Sequence, residues 1–269
     1  MNNTKTHIVI PIGVSQPGTP VLHLLEKSID SILNQTSKEF ILSVAADDNV
    51  SDECKALLES KGVDVVWFSP ATFFRKGGIW KKIAEVWKTT DTKYLAFLHY
   101  DDLWDSKKLE VQVSKMENEG LDYSWSETYV IEANDNIISG DYASIEEFSK
   151  QSVGYKTCAL AHSVITKRDT FFNSGIMKYE NEWAPVWENL YLLYLQKQGY
   201  GKKISDAKFY WRNHNMNMSN SIFVDPALKP IMDEQRVIGE YPNEEVIKDD
   251  QMMCAHMNEL INELRSRYA

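Results

Sequence analysis

The chain has 269 residues, of which 43% are hydrophobic and 25% charged, and its formal net charge is −10. This composition is typical of a globular protein with one large or two small domains, and the negative charge argues against nonspecific binding to nucleic acid. The three cysteines, Cys54, Cys158 and Cys254, are far apart and lack CxxC spacing, which predicts neither a disulfide framework nor a zinc site.

The first residues run directly into a strand pattern with no signal-peptide core before it, and no apolar run approaches the roughly 18 residues of a membrane span. We therefore expect a cytoplasmic protein, for which peripheral association with the inner face of a membrane stays open.

Short apolar runs alternate with amphipathic stretches of helical periodicity over the first hundred residues. This alternation predicts a doubly wound, mostly parallel α/β sheet with right-handed crossovers. The predicted strands are 7–12, 40–45, 63–67 and 94–98. The predicted helices are 21–35, a stretch ending near 61, and 79–88.

The second half has a more mixed pattern, which predicts a smaller mixed sheet and a helical C-terminal tail. The predicted helices are 105–119, which Gly120 closes, then 145–151, a turn at 168–173, and 188–198. The predicted strands are 121–133, 137–139, 159–166 and a last strand ending at 211. An acidic aromatic loop is expected at 180–187. We predict one domain over 1–220, with halves 1–104 and 105–220, and a helical extension over 221–269.

Two pairs of carboxylates follow predicted strands: Asp47-Asp48 and Asp101-Asp102. The carboxyl ends of parallel strands share one edge of the sheet, where ligands of such folds bind. Adjacent carboxylates tolerate each other when a hard cation such as Mg²⁺ or Mn²⁺ binds them together with phosphate oxygens. The alternative is that each pair is a polar turn that caps the following helix. No GxGxxG or GxxxxGK[ST] sequence is present, which argues against a dinucleotide site and a P-loop.

Three segments stand out: residues 8–11 (IVIP), residues 28–36 (SIDSILNQT) and residues 47–53 (DDNVSDE). They resemble, in that order, the opening strand, the first helix and the DDGSTDE turn of glycosyltransferase family 2, whose members are inverting, nucleotide-sugar-dependent enzymes with the GT-A fold. The resemblance implies that Pro11, Ile12 and Asp47 line the donor site, and that Asp48 accepts a hydrogen bond from the ring N–H of uracil or thymine.

Residues 99–102 (HYDD) resemble the DxDD motif of the family, which anchors the metal and the diphosphate. The resemblance implies a metal contact for Asp101 and a donor-site role for Asp102. The first acid of the motif is replaced by His99. Histidine can bind Mn²⁺, and the alternative is a strand-end histidine that hydrogen-bonds the loop.

Residues 187–200 resemble a helix of the family that begins with two acids and ends in Gly-Tyr. Ungapped alignment places Trp187 at the first acid and Glu188 at the second. In the family the second acid is the catalytic base, so the resemblance implies that role for Glu188. A rival alignment places Glu188 at the first acid and Asn189 at the base. A glutamate at a helix N-terminus is also favoured by the helix dipole alone.

Residues 209–219 resemble the closing YRxHxxxxS segment, which implies that Arg212 and His214 face the diphosphate or the metal. Lys76, in a loop, is expected to help neutralise the leaving group. The resemblance as a whole implies transfer of a sugar, with inversion, from a nucleoside diphosphate, with UDP preferred, to a hydroxyl of a glycan or lipid-linked acceptor. The expected cofactor is Mn²⁺ or Mg²⁺.

Two alternatives stay open at this point. One is a degenerate member that binds a nucleotide sugar without turnover, as His99 and the Trp187-Glu188 pair would allow. The other is a sugar-phosphate nucleotidyltransferase, although residues 13–18 (GVSQPG) lack the basic residues that such a loop needs. The sequence gives no indication of the oligomeric state, the sugar or the linkage.

Overall fold

A computed structural model describes residues 6–13, 21–69, 78–140, 160–179, 184–214, 259–264 and 266. The predicted helix at 145–151, Lys76 and most of the predicted C-terminal tail lie outside these residues.

The described strands form one nine-stranded mixed sheet with the spatial order β3-β2-β1-β4-β8-β6-β9-β5, and β7 pairs with β6. The strands are β1 (Thr6–Ile12), β2 (Phe40–Asp47), β3 (Asp64–Phe68), β4 (Tyr94–Phe97), β5 (Leu103–Trp104), β6 (Tyr123–Ile131), β7 (Ile137–Ser139), β8 (Val164–Lys167) and β9 (Gly201–Arg212). The α-helices are α1 (Leu22–Leu33), α2 (Asp52–Lys61), α3 (Gly78–Lys88), α4 (Lys108–Glu119), α5 (Arg168–Asn173) and α6 (Ala184–Gln198).

Helices cover both faces of the sheet, so its central strands are buried along their whole length. All seven residues of β1 are buried, as expected for a parallel strand that is covered on both sides. One core cluster joins α1, α2 and α4 to the sheet, and the other joins α3, α5 and α6. In the second cluster the ring of Trp80 meets that of Phe97 edge-on, with centroids 4.6 Å apart.

The pairing pattern explains how both halves of the chain share one sheet. Strands β1 and β2, β1 and β4, and β2 and β3 pair in parallel, whereas β8 lies antiparallel between β4 and β6. The predicted mostly parallel, doubly wound half is therefore present. The strands of the second half continue the same sheet instead of forming a smaller separate one.

Two boundaries differ most from the prediction. Helix α6 begins at Ala184, inside the expected loop 180–187, because Pro185 is compatible with the first turn of a helix, where its missing N–H is not needed. Residues Ala161–Ser163 form a 3-10 turn before β8, where a strand was expected. Helical residues 259–264, in the predicted tail, bury Leu260 and Leu264 in the core cluster of α3 and α6.

Candidate active site

The two acidic corners lie on one edge of the sheet, on either side of the end of β1. Strand β1 pairs with β2 on one side and with β4 on the other, and all three run in parallel. Strand spacing therefore separates the ends of β2 and β4 by about 10 Å. Asp47 ends β2, and Asp101 follows β4. The prediction that both corners share one edge agrees with this topology.

Asp47 is buried and forms an ion pair with Lys82 of α3, which is also buried. Burial lowers the pKa of Lys82, and the hydrogen bond to Asp47 opposes only part of that shift. Gly13 packs directly against the pair, because a Cβ on Gly13 would lie 2.4 Å from Asp47 Oδ2. Sequence reasoning missed Lys82, whose helical periodicity gave no sign that its charge points inward.

Asp48 has a different environment from its neighbour. It is exposed, and its backbone N–H donates to the carbonyl oxygen of Phe68 at 2.9 Å. Ser51 accepts a hydrogen bond from the Cys54 N–H at 3.2 Å and so caps α2. The corner after β2 is thus both a helix cap and a carboxylate that is open to a ligand. Pro11 and Ile12, at the end of β1, are buried.

The turn after β4 is closed by its own backbone and by helix α1. The Asp102 N–H donates to the His99 carbonyl oxygen at 3.3 Å, and the hydroxyl of Ser28 donates to the same oxygen at 3.1 Å. This arrangement directs Asp101 and Asp102 to different partners. We call residues 99–102 the acidic turn.

Three hydrogen bonds join the acidic turn to the end of β9. The Arg212 N–H donates to Asp102 Oδ1 at 2.8 Å, and Arg212 Nε donates to the Asp101 carbonyl oxygen at 2.7 Å. His214 Nε2 donates to Asp101 Oδ2 at 3.0 Å. The predicted site residues Asp101, Asp102, Arg212 and His214 are therefore brought together from positions more than a hundred residues apart.

The guanidinium of Arg212 is fully buried and acts as a positioning group in this structure. Its Nη1 donates to the carbonyl oxygens of Glu132 and Ala133, both at 3.0 Å, and pairs with Asp135. These bonds connect the turn between β6 and β7 to the acidic turn. The contact with the diphosphate or the metal that the sequence suggested for Arg212 stays a prediction.

Asp101 and His214 fit a divalent cation. Their side chains are 15% and 8% exposed, and Oδ2 and Nε2 are 3.0 Å apart. Two ligands at right angles around Mg²⁺ or a similar ion, each about 2.1 Å from it, would also be about 3 Å apart. A carboxylate and an imidazole suit Mn²⁺ chemically.

His99, the third predicted metal ligand, faces a different group. Its ring lies 4.5 Å, centroid to centroid, from the ring of His162, whose Nδ1 is 3.2 Å from Asp102 Oδ2. Burial, followed by the charges of His99 and Lys108, lowers the pKa of His162 well below its ordinary value. Sequence reasoning missed His162, which has no motif around it.

A cleft of about 600 Å³ opens beside His214, a volume that suits a small-molecule ligand. Helix α1, the turn between β6 and β7, and the end of β9 contribute its walls. The lining residues are Val21, His23, Leu24, Glu132, Ala133, Asn134, Ile138, Asn213 and His214.

The backbone of Glu188 lies at the same edge of the sheet as the acidic turn. Helix α6 ends just before β9, and β9 runs parallel to β6. Strand β8 is antiparallel to both β6 and β4, so β9 and β4 run in the same direction. The helix therefore returns across the sheet and begins at the carboxyl edge. Tyr191, one turn beyond Glu188, packs against Phe97 near the end of β4, with ring centroids 6.4 Å apart.

The family model described as Glycosyl transferase family 2 matches residues 21–178, more than half of the chain. The chain belongs to glycosyl transferase family 2. The predicted family and the prediction of a glycosyltransferase are thereby confirmed. Among the helices that the structure describes, none combines the length and apolarity needed to cross a bilayer.

Two similar proteins of Escherichia coli are each named UDP-Glc:alpha-D-GlcNAc-diphosphoundecaprenol beta-1,3-glucosyltransferase. WfaP is 25% identical over 197 residues, which are 73% of this chain and 74% of WfaP. WfgD is 24% identical over 162 residues, 60% of this chain, and the match spans only 62% of WfgD.

The crystal structure of S. aureus TarS 1-349 in complex with UDP-GlcNAc has a TM-score of 0.66 to this structure at 14% identity. The match covers 97% of this chain and 71% of that chain. This similarity confirms the predicted GT-A-like α/β fold.

Proposed function

We propose that this protein is an inverting glycosyltransferase that moves a sugar from a UDP-sugar to a hydroxyl group, with the help of a divalent cation. One observation carries the proposal: the acidic turn and the end of β9 meet at the carboxyl edge and hold Asp101 Oδ2 and His214 Nε2 3.0 Å apart. Asp47 ends the second parallel strand on the same edge, and Asp48 follows it. The edge thus offers separate acidic positions for the base and for the diphosphate.

Asp101 and His214 would hold Mn²⁺ or Mg²⁺, whose positive charge offsets the charge that builds on the leaving diphosphate. Asp102 and Arg212 act indirectly in this scheme, because their hydrogen bonds keep the acidic turn against β9. The exposed carboxylate of Asp48 accepts the N3–H of uracil, an interaction that cytosine, with an acceptor at that position, cannot make. Lys76 stays a proposed partner of the diphosphate.

Glu188 is the proposed general base. Its carboxylate takes the proton of the acceptor hydroxyl while the oxygen forms a bond to the anomeric carbon and the bond from that carbon to the diphosphate breaks. Attack from the face opposite the leaving group inverts the anomeric configuration. The position of the Glu188 backbone at the carboxyl edge supports this role.

A lipid-linked or glycan acceptor is the proposed second substrate, because WfaP and WfgD are named for a GlcNAc-diphosphoundecaprenol acceptor. An acceptor of this kind would bring the protein to the inner face of a membrane peripherally. Membership of the family favours sugar transfer over the nucleotidyl transfer that the sequence left open.

The test is a transfer assay with purified protein, UDP-glucose or UDP-GlcNAc, Mn²⁺ and a GlcNAc-diphosphate lipid. Glu188→Gln should lower the transfer rate by at least about 100-fold, because general-base catalysis contributes that much or more, and it should leave UDP affinity unchanged. Glu59→Gln, on the exposed surface of α2, is the matched control and should transfer normally. Unchanged turnover in Glu188→Gln would refute the base assignment.

A catalytically inactive sugar-nucleotide-binding protein is the second candidate, and His99 in place of the first acid of the motif favours it. Donor hydrolysis and transfer that both stay at the level of a protein-free control, with UDP binding intact, would establish this candidate instead.

A further inference from the structure

A second group of potential metal ligands joins two residues of the acidic turn to a histidine that lies just before β8. It consists of His99, Asp102 and His162, and each residue offers one ligand atom within 4.8 Å of the others. Asp102 and His162 are buried, whereas His99 is half-buried.

His162 makes this group more than a polar cluster. The residue is only 4% exposed, and within the described part of the chain neither of its ring nitrogens makes a hydrogen bond. Nδ1 is 3.2 Å from Asp102 Oδ2, so the ring is directed at the carboxylate. The rings of Phe97 and Phe209 flank it, with centroids 6.2 and 4.7 Å away. A buried imidazole with no hydrogen bond is unfavourable unless another partner satisfies it.

Two imidazoles and one carboxylate are a donor set that binds Zn²⁺ and neighbouring first-row metals. In a tetrahedral zinc site, ligand atoms about 2.1 Å from the ion are about 3.4 Å from one another, so His99 needs only a side-chain adjustment to complete the set. The other oxygen of Asp102 already accepts the Arg212 N–H, which orients the carboxylate as outer-shell hydrogen bonds do in metal sites.

Lys108 is the charge that opposes a cation at this position. Its amino group donates to Gln112 Oε1 at 2.9 Å and lies 3.9 Å from the centroid of the Trp104 ring. Complete burial lowers the pKa of Lys108 well below its ordinary value, and its amino group is directed at Gln112 and Trp104.

We propose that His99, Asp102 and His162 form a buried binding site for a divalent transition metal of the Zn²⁺ type, separate from the donor-site cation at Asp101 and His214. The site accounts for the histidine at the first position of the acidic motif, because His99 then acts together with His162. A metal there would hold Asp102, and through it the Arg212 backbone and the end of β9.

The test measures metal binding to the full chain, and it does not depend on whether the protein transfers a sugar. Protein stripped with EDTA is titrated with Co²⁺, whose visible absorption reports nitrogen and oxygen ligands, and with Zn²⁺ in competition with a chromophoric chelator. The variants are His99→Ala, at a half-buried position, His162→Phe, which retains an aromatic ring between Phe97 and Phe209, and Asp101→Asn as the matched control. Circular dichroism checks that each variant is folded.

Asp101→Asn removes a ligand of the donor-site cation, but it should still bind one Co²⁺ or Zn²⁺ ion with the affinity that the wild type shows at the His99 group. His99→Ala should bind that ion at least about 100-fold more weakly, because a ligand is lost. His162→Phe should behave like His99→Ala. The proposal is overturned if the wild type binds neither metal, or if binding is lost in Asp101→Asn and kept in His99→Ala. His99→Ala keeps the test decisive even if His162→Phe does not fold.

Discussion

Replacing Arg212 with methionine tests the role of its guanidinium as the brace between the acidic turn and the turn after β6. The variant keeps the length of the side chain but removes the donors to the carbonyl oxygens of Asp101, Glu132 and Ala133. It also removes the buried partner of Asp135.

The expected loss of unfolding free energy follows from these contacts. Hydrogen bonds from a charged donor contribute about 1.5–3 kcal/mol each, which for three bonds gives roughly 4.5–9 kcal/mol. The variant regains the desolvation penalty of a buried guanidinium, and Asp135 is partly solvated, so the net loss should be about 3–5 kcal/mol. With a urea dependence of about 3 kcal/mol per molar, the midpoint of unfolding should fall by roughly 1–2 M.

Lys27→Met is the matched control, because Lys27 pairs with the same Asp135 but its side chain is 41% exposed. It should change the unfolding free energy by no more than about 0.5 kcal/mol. Urea unfolding followed by circular dichroism measures both variants. A loss below about 1 kcal/mol in Arg212→Met, or an equal loss in the two variants, would refute the assignment of Arg212 as a brace.

Two further tests concern buried titratable groups, each with an exposed control. Lys82→Met removes the buried cation that pairs with Asp47 and should lower the unfolding free energy by about 3–5 kcal/mol. Lys88→Met, which removes one partner of an exposed ion pair, is the control. In the same urea assay it should change the unfolding free energy by less than about 0.5 kcal/mol. Burial lowers the pKa of His7 to about 4, below its ordinary 6.5, so the unfolded chain binds more protons and stability falls as the pH drops through that window. Between pH 7 and pH 4, protonation linked to His7 should lower the unfolding free energy by up to about 3 kcal/mol. His7→Gln should remove this pH dependence, whereas His23→Gln, at an exposed position, should keep it. If the unfolding free energy of the two variants falls equally with pH, the burial argument is contradicted.

Local sequence signals predicted the first half of the fold because they act over a few residues. The apolar run of β4 and the helical periodicity of α3 are signals of this kind. The glycine after α4 is another, because Gly120 has a positive φ of 69°, which glycine adopts without strain. Strand pairing depends on contacts between distant segments. The antiparallel insertion of β8 between β4 and β6 therefore had no sequence signal.

The acidic positions of the candidate site could be found from motif spacing, but the environment of each side chain could not. Asp47 and Asp48 are adjacent in sequence, yet one is buried in an ion pair and the other is exposed. Arg212 matches a motif position, and only the packing of β9 shows that its guanidinium faces inward. The same holds for His162, which becomes notable only because folding places it beside His99 and Asp102.

Calorimetric titration of UDP in the presence and absence of Mn²⁺ tests the central claim most directly, because it asks whether the carboxyl edge binds a nucleotide diphosphate through a cation on Asp101. We predict that UDP binds the wild type more tightly with Mn²⁺, and that Asp101→Asn weakens this metal-dependent binding at least tenfold, about 1.4 kcal/mol. Undiminished metal-dependent affinity in Asp101→Asn would contradict the account.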